Sequence, residues 1–179
     1  MRIISGKYRS KRITAPKNLP VRPTTDMAKE GIFNVINNEF YFDDIKVLDL
    51  FAGTGNISYE FASRGAGSIT SVDNNYGCTS FMKSMAAEMK FDQMTVLKSD
   101  ALKYISTTKS TFKIIYADPP YNMENQREMV QEILKGTLLE KEEGWLILEH
   151  DEYHSFEDID GFEQQRRYGS VNFSIFVKK

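Results

Sequence analysis

The feature that most constrains the fold is a repeated alternation of short apolar runs with segments of helical periodicity. Apolar runs of strand length lie at residues 46–51, 68–72, 94–98, 113–117 and 144–149. Helical patterns follow the same order between them, notably at residues 75–90 and 122–135, and an earlier one at residues 25–38 precedes the first run. Parallel strands need helical crossovers, so this alternation predicts an α/β fold with a mostly parallel sheet.

The C-terminal end departs from this alternation. Residues 162–168 and 171–178 flank Gly169 and Ser170, and the second segment alternates apolar with other residues at Val171, Phe173, Ile175 and Val177. A period of two with a glycine turn indicates a β-hairpin. We therefore expect seven strands, with an antiparallel pair closing one edge of the sheet.

Charge is distributed unevenly along the 179 residues, a length that fits one domain. The whole chain carries a net charge of −2, yet no acidic residue occurs before position 26. The basic residues of that segment are Arg2, Lys7, Arg9, Lys11, Arg12, Lys17 and Arg22. This pattern predicts a basic N-terminal arm or hairpin, residues 1–23, attached to an acidic domain of residues 24–179. We expect the arm to contact a polyanion. A solvated or disordered tail is the alternative.

Several classes of protein are disfavoured by what the sequence contains. Cys78 is the single cysteine, so neither an intrachain disulfide nor a cysteine zinc cluster is expected. His150 and His154 lie four residues apart without a further thiol or imidazole nearby, and we expect no metal site. No stretch has the length of a membrane span or the apolar core of a signal peptide, so we expect a soluble, cytoplasmic protein.

A glycine loop follows the first apolar run. Gly53 and Gly55 allow a tight turn and the approach of a ligand to backbone N–H groups, but Ser58 stands where a dinucleotide fingerprint has its third glycine. A cofactor without phosphates tolerates that departure. Asp73 lies about 20 residues further on, where it can accept hydrogen bonds from ribose hydroxyls or cap the next helix. Asp100 can likewise cap a helix or accept a hydrogen bond from an adenine amino group.

The fourth apolar run stops abruptly at Asp118-Pro119-Pro120-Tyr121. Ligands of open α/β sheets bind beyond the carboxyl ends of the strands, and two prolines make that corner rigid while removing N–H donors. A carboxylate, freed carbonyls and an aromatic ring together suit a planar amine such as the exocyclic NH2 of a nucleobase. An ordinary strand-ending turn is the alternative.

Together these stretches resemble the RsmD family of RNA methyltransferases over nearly the whole chain. The likeness rests on MRIISGKYR at residues 1–9, RPTTD at 22–26, KEGIFN at 29–34, DLFAGTG at 49–55, DPPY at 118–121 and RYG at 167–169. The family tends to carry a glycine at Ser5, arginine at Met27 and Lys29, and often glutamate at Asp73. The loss of arginine at Met27 removes one expected contact to RNA or cofactor.

The resemblance implies a Rossmann-like class I fold. It implies that a monomer transfers a methyl group from S-adenosylmethionine to a guanine N2 of 16S ribosomal RNA. The RNA would be part of the 30S subunit or of an assembly intermediate. It implies a catalytic set of Asp118, Pro119, Pro120 and Tyr121. It implies a cofactor set of Asp49, Phe51, Gly53, Gly55, Asp73, Asp100 and Ala101. It implies an RNA-binding set of Arg2, Lys7, Arg9, Lys11, Arg12 and Arg22.

Other functions remain compatible with the residues. A planar NH2 is also presented by adenine N6 in nucleic acid and by a protein amide, although the basic arm favours nucleic acid. A non-catalytic RNA-binding module for ribosome assembly would keep the fold without the reaction. A nicotinamide dehydrogenase is the weakest candidate, because of Ser58 and the lack of an acid for hydride chemistry.

Overall fold

The computed structural model describes residues 1–19 and 24–178, and within them a seven-stranded sheet is flanked by helices on both faces. The strands are β1 (Lys46–Leu50), β2 (Ser68–Asp73), β3 (Met94–Lys98), β4 (Ile114–Ala117), β5 (Trp145–His150), β6 (Phe162–Tyr168) and β7 (Val171–Val177). The helices are α1 (Asp26–Glu39), α2 (Asn56–Ser63), α3 (Tyr76–Glu88), α4 (Ala101–Thr107) and α5 (Gln126–Lys135). The predicted fold class is confirmed.

The strand order is β3-β2-β1-β4-β5-β7-β6, with β7 antiparallel to both of its neighbours. The order reverses between β1 and β4, which are parallel and adjacent. In an open α/β sheet this switch point leaves a crevice at the carboxyl ends of the strands. None of the helices in the described part of the chain has the length and apolar character that a membrane crossing needs.

The helix bounds differ from the predictions mainly at α5. The predicted helix of residues 122–135 begins only at Gln126, because residues 121–125 form the loop that follows the Asp-Pro-Pro-Tyr corner. The first helix is shifted by one residue, since Thr25 is its N-cap and accepts the N–H of Ala28. These differences follow from local capping and loop chemistry.

The C-terminal hairpin is present, but its burial differs from a simple alternation. Residues on both faces of β7, from Asn172 to Phe176, are buried because β7 lies between β5 and β6 and is covered on both faces. The edge is β6, whose exposed face carries Glu163, Gln165 and Arg167. A charged edge strand of this kind resists pairing with other chains.

Residues 1–13 form what we call the N-terminal hairpin, which lies outside the sheet. Arg2 and Arg12 make an isolated antiparallel bridge, and Ile3 and Ile13 are buried in the core between the sheet and α1 to α3. Gly6 has φ of +81° and passes so close to α2 that a Cβ there would lie 1.8 Å from the Ser63 carbonyl oxygen. The hairpin is therefore packed against the end of α2 at a position that requires glycine.

A buried ionic cluster joins the hairpin to two helices. Glu60 of α2 is fully buried and accepts the backbone N–H groups of Ile4 and Ser5 at 2.8 and 3.0 Å. Its carboxylate also accepts Arg64 Nε at 2.8 Å and lies 3.6 Å from Lys29 Nζ of α1. The hydrogen-bonding capacity of this buried carboxylate is satisfied by its donors. Removing the carboxylate would deprive those donors of this partner, which costs folding free energy.

We predict that Glu60→Ala lowers the free energy of unfolding by about 3–5 kcal/mol, because it leaves the buried Lys29 ammonium without its counter-charge and two backbone N–H groups without their acceptor. The matched control is Glu88→Ala, which breaks the exposed ion pair between Lys11 and Glu88. It should cost under about 1 kcal/mol. Urea denaturation of the three proteins measures both values, and equal losses would contradict the role of Glu60.

Candidate active site

The carboxyl ends of β1, β2, β4 and β5 open into one cleft of about 670 Å³. That volume lies within the usual range of small-molecule sites. The predicted site residues that line it are Asp49, Phe51, Gly53, Asp73, Asp100, Asp118, Pro119, Pro120 and Tyr121. The structure thus brings the predicted catalytic set and most of the predicted cofactor set into a single site.

The loop after β1 reverses direction through left-handed backbone conformations. Phe51, Gly53 and Gly55 have φ of +61°, +55° and +86°, and the non-glycine Phe51 stores strain there. Gly55 is the N-cap of α2 and does not line the cleft. A Cβ on it would lie 2.7 Å from the Tyr59 ring, so packing against α2 requires a glycine here, and contact of Gly55 with a cofactor stays a prediction.

Asp73 ties the loop to the end of β2. Its Oδ2 accepts the N–H of Gly53 at 2.8 Å, and its Oδ1 accepts the N–H of Asn75 at 2.8 Å. The helix cap is Asn75 itself, whose Oδ1 accepts the N–H of Cys78. The alternative of Asp73 as an ordinary helix cap is therefore wrong, whereas its contact with ribose stays a prediction.

Asp100 takes the first of its two predicted roles. Its Oδ1 accepts the N–H of Lys103 at 2.9 Å and caps α4, and the residue is exposed at the cleft. Ala101, the first residue of α4, is buried and does not line the cleft. A contact of Asp100 with adenine stays a prediction.

Asp49 and Ser58 explain why the third glycine position holds a serine. Ser58 Oγ is buried, donates to Asp49 and lies 2.7 Å from Ser71 Oγ, so that one hydroxyl joins β1, α2 and β2. Burial raises the pKa of Asp49 to about 7, despite the hydrogen bond from Ser58. The only hint of this contact in the sequence was that Ser58 replaces the third glycine of the dinucleotide fingerprint.

The Asp-Pro-Pro-Tyr corner is held by the first turn of α5. Gln126 is almost fully buried, and its Nε2 donates to the Pro120 carbonyl at 3.1 Å and to the Tyr121 carbonyl at 3.4 Å. The Pro120 carbonyl also accepts the N–H of Met123. Tyr121 keeps 42 % of its surface exposed beside the cleft, as a stacking platform needs.

Glu149 is a wall residue of the cleft that the sequence predictions missed. It follows Leu148 on β5 and is only 3 % exposed. Its Oε2 accepts the hydroxyls of Thr24, at 2.7 Å, and Tyr116. Glu149 could have been found by the rule that was applied to Asp118, namely that sites lie at the carboxyl ends of parallel strands.

Burial raises the pKa of Asp118 well above its ordinary range, and the neighbouring carboxylates of Glu149 and Asp49 raise it further. Burial likewise raises the pKa of Glu149, although the Tyr116 and Thr24 hydroxyls oppose the shift. These carboxylates share a site that contains little solvent. Their ionised forms are therefore stabilised by a cation or by N–H donors that bind there.

The electrostatics of the cleft fit S-adenosylmethionine. Every charged side chain that lines it in the described part of the chain is acidic: Asp49, Asp73, Asp100, Asp118 and Glu149. A phosphate-bearing dinucleotide would meet repulsion here, whereas an ammonium and a sulfonium are attracted. Asp49 and Asp73 are the residues that would hold the amino and ribose groups, with Phe51 and Leu102 as apolar wall.

Of the predicted RNA-binding set, the five residues that the structure describes do not line this cleft. Lys7, Arg9 and Arg12 are exposed on the N-terminal hairpin. Arg2 and Lys11 are paired with Asp26 and Glu88 at 3.0 and 2.9 Å. Arg22 lies outside the described residues, so RNA contact stays a prediction for all six.

The histidines are engaged within the protein. His150 Nε2 lies 2.8 Å from Ser174 Oγ, and His154 Nδ1 lies 2.7 Å from Asp151 Oδ1. Across residues 1–19 and 24–178, no group of three or more potential metal-ligating side chains comes together.

Comparison with known proteins gives matches along the whole chain. The family model described as conserved hypothetical protein 95 matches residues 1–177. The candidate rRNA methyltransferase YlbH of Bacillus subtilis is 31% identical over 186 residues, which cover 100% of both proteins. Ribosomal RNA small subunit methyltransferase D of Escherichia coli is 30% identical over 146 residues, which cover 82% of this chain and 69% of the relative.

Solved structures show the same fold. A candidate methyltransferase, yhhF from Escherichia coli, superposes with a TM-score of 0.85 at 23% identity and covers 100% of this chain and 98% of its own. The Thermus thermophilus 16S rRNA N2 G1207 methyltransferase RsmC, in complex with AdoMet and guanosine, gives 0.70 at 17% identity and covers 90% of this chain and 45% of its own. At these identities the likeness concerns the fold.

We predict that Asp49→Asn makes the protein more stable at high pH. The folded pKa of about 7 exceeds the ordinary value of 3.8, so the stability that Asp49 contributes is fully present below about pH 4 and is lost as the pH rises through 7. Asparagine can still accept the Ser58 hydroxyl and carries no charge. The gain should grow from near zero at pH 4 toward as much as about 4 kcal/mol at pH 8.

Thermal denaturation of both proteins without cofactor between pH 4 and 8 measures this gain. Asp92→Asn, at an exposed aspartate before β3, is the control and should follow the wild-type profile. A gain independent of pH would contradict the elevated pKa of Asp49.

Proposed function

This chain belongs to the RsmD family, and we propose on that premise that it transfers the methyl group of S-adenosylmethionine to a guanine N2 in small-subunit ribosomal RNA. The observation that carries the proposal is the presence, in one acidic cleft, of the Asp118 corner and a glycine loop braced by Asp73. The relatives named above as rRNA methyltransferases support the substrate class. The fold shared with an N2 guanine methyltransferase is compatible with it.

S-adenosylmethionine supplies a methyl group on a positively charged sulfur, which is already a good electrophile, and takes up the electron pair of the bond that breaks. The task of the protein is then alignment of a weak nucleophile, because the N2 lone pair is delocalised into the purine ring. Asp118 and the Pro119 carbonyl accept the two amino protons, which directs the lone pair out of the ring plane. Tyr121 stacks on the extruded base.

Proton transfer in this scheme needs no strong base at the start. The N2 proton becomes acidic only as the new N–C bond forms, and Asp118 is the nearest group to receive it. The elevated pKa of Asp118 helps here, because a carboxylate in a buried acidic site binds a proton more readily than an exposed one. A bound cationic cofactor would favour the ionised form of Asp118 before the transfer.

The direct test uses tritium-labelled S-adenosylmethionine with small-subunit ribosomal RNA, both free and in 30S particles from a methylation-deficient strain, followed by nucleoside analysis. We expect label in N2-methylguanosine. Label in N6-methyladenine with a nucleic-acid substrate would favour the adenine alternative. Tight cofactor binding without transfer to any nucleic acid would favour a protein amide or an assembly role.

We predict that Asp118→Ala retains cofactor binding but lowers kcat by about 100-fold or more, because it removes an acceptor that orients the amine. Calorimetric titration with S-adenosylmethionine and single-turnover methylation separate the two effects. Asp92→Ala removes an exposed aspartate and serves as the control. Normal turnover in Asp118→Ala would rule out its catalytic role.

We predict that replacing Lys7, Arg9 and Arg12 with glutamate weakens RNA binding without changing base choice, since phosphate contacts carry affinity and not sequence information. Each lost phosphate contact should reduce the slope of log affinity against log salt by roughly 0.7–0.9. The matched control reverses the exposed Lys46, Lys83 and Lys109 of the domain. A salt slope identical to that of the wild type would exclude the N-terminal hairpin as the RNA contact.

A further inference from the structure

We propose, on the basis of the function proposed above, that Glu149 determines base specificity by accepting the N1–H of guanine while Asp118 and the Pro119 carbonyl hold the N2 protons. Guanine presents three N–H bonds in a row along this part of its Watson–Crick edge. Adenine presents two N–H bonds and, beside them, the N1 lone pair. Three acceptors in a row therefore match guanine and oppose adenine.

The first support is the position of Glu149 relative to Asp118. The parallel strands β4 and β5 pair Ala117 with Leu148, so Asp118 and Glu149 are the next residues of neighbouring strands at the same edge of the sheet. Both line the cleft. A base whose amine meets Asp118 therefore brings its adjacent ring nitrogen toward Glu149 and not toward solvent.

The second support is that the Glu149 carboxylate is held with one oxygen engaged. Both hydroxyl donors, Thr24 and Tyr116, bond to Oε2. Among the described residues, neither of these two donors bonds to Oε1, and Glu149 lines the cleft. Oε1 is thus the oxygen that can receive a third donor, and the cleft is the direction from which that donor comes.

The third support is a chain of buried hydrogen bonds that fixes Thr24 behind Glu149. Asn56 Nδ2 donates to the Thr24 carbonyl at 3.0 Å, and Asn56 Oδ1 accepts Lys29 Nζ at 2.8 Å. Lys29 Nζ in turn donates to the Arg2 carbonyl at 2.6 Å. An acceptor anchored through such a chain is pre-organised, as a group that reads a base has to be.

A base analogue isolates this contact. 2-Aminopurine keeps the 2-amino group that is methylated but has a lone pair at N1 in place of N1–H. Opposite a carboxylate that lone pair is repelled, whereas opposite the amide of a glutamine it can accept an N–H. The difference at O6 between guanine and 2-aminopurine is the same for both forms of the protein and cancels when the two are compared.

The experiment uses small-subunit ribosomal RNA with either guanosine or 2-aminopurine ligated into the position where the wild-type protein places its label. We compare kcat/KM for the two RNAs in wild type, Glu149→Gln and the exposed control Glu163→Gln. The wild type and the control should prefer guanosine by about 100-fold or more. Glu149→Gln should reduce this ratio to under about 10-fold, because it should lose more activity on guanosine than on 2-aminopurine.

An unchanged preference in a folded Glu149→Gln protein would overturn the assignment. If that variant does not fold, Thr24→Val carries the test, because it removes a donor that holds Oε2. The preference of Thr24→Val for guanosine should fall at least about threefold, and an unchanged ratio would overturn the assignment. A wild type that leaves no label in N2-methylguanosine would refute the proposed function itself, and the specificity role of Glu149 with it.

Discussion

The buried carboxylate of Glu60 is the contact on which the arrangement of the N-terminal hairpin, α1 and α2 depends. It binds the backbone of Ile4 and Ser5 on one side and Lys29 and Arg64 on the other. Because Lys29 also reaches Asn56, the packing of the hairpin is connected through buried hydrogen bonds to Thr24 at the cleft. A basic surface element and the site wall are thereby parts of one polar network.

The cleft itself is destabilising for the protein alone. Asp49, Asp118 and Glu149 lie in a poorly solvated site where burial raises the pKa of each. Concentrating like charges in this way costs folding free energy, and such costs are typical of sites whose ligand supplies the missing partner. A cationic cofactor and a base rich in N–H donors are the two kinds of ligand that relieve it.

The fold and half of the site could be predicted from sequence because they depend on local signals. Apolar runs predict the strands, and Asp73 and Asp118 stand out where those runs end. Glu149 and Thr24 were not recognised, since Glu149 resembles the last residue of a buried strand and its role depends on which strand lies beside it. The packing of Gly55 against the Tyr59 ring was not recognised either, because a glycine required by a neighbouring ring looks the same in sequence as one required by a ligand.

The departures from the family pattern in α1 have different structural consequences. Met27 is 60 % exposed, so it can be replaced without disturbing the core. Lys29 is buried, and its ammonium meets three oxygens, those of the Arg2 carbonyl, Asn56 and Glu60. The three donors of a lysine face three oxygens here, two of them within hydrogen-bond distance, whereas the five donors of an arginine would need two further acceptors. Position 29 therefore supports the hairpin from inside the fold and presents no cation at the surface.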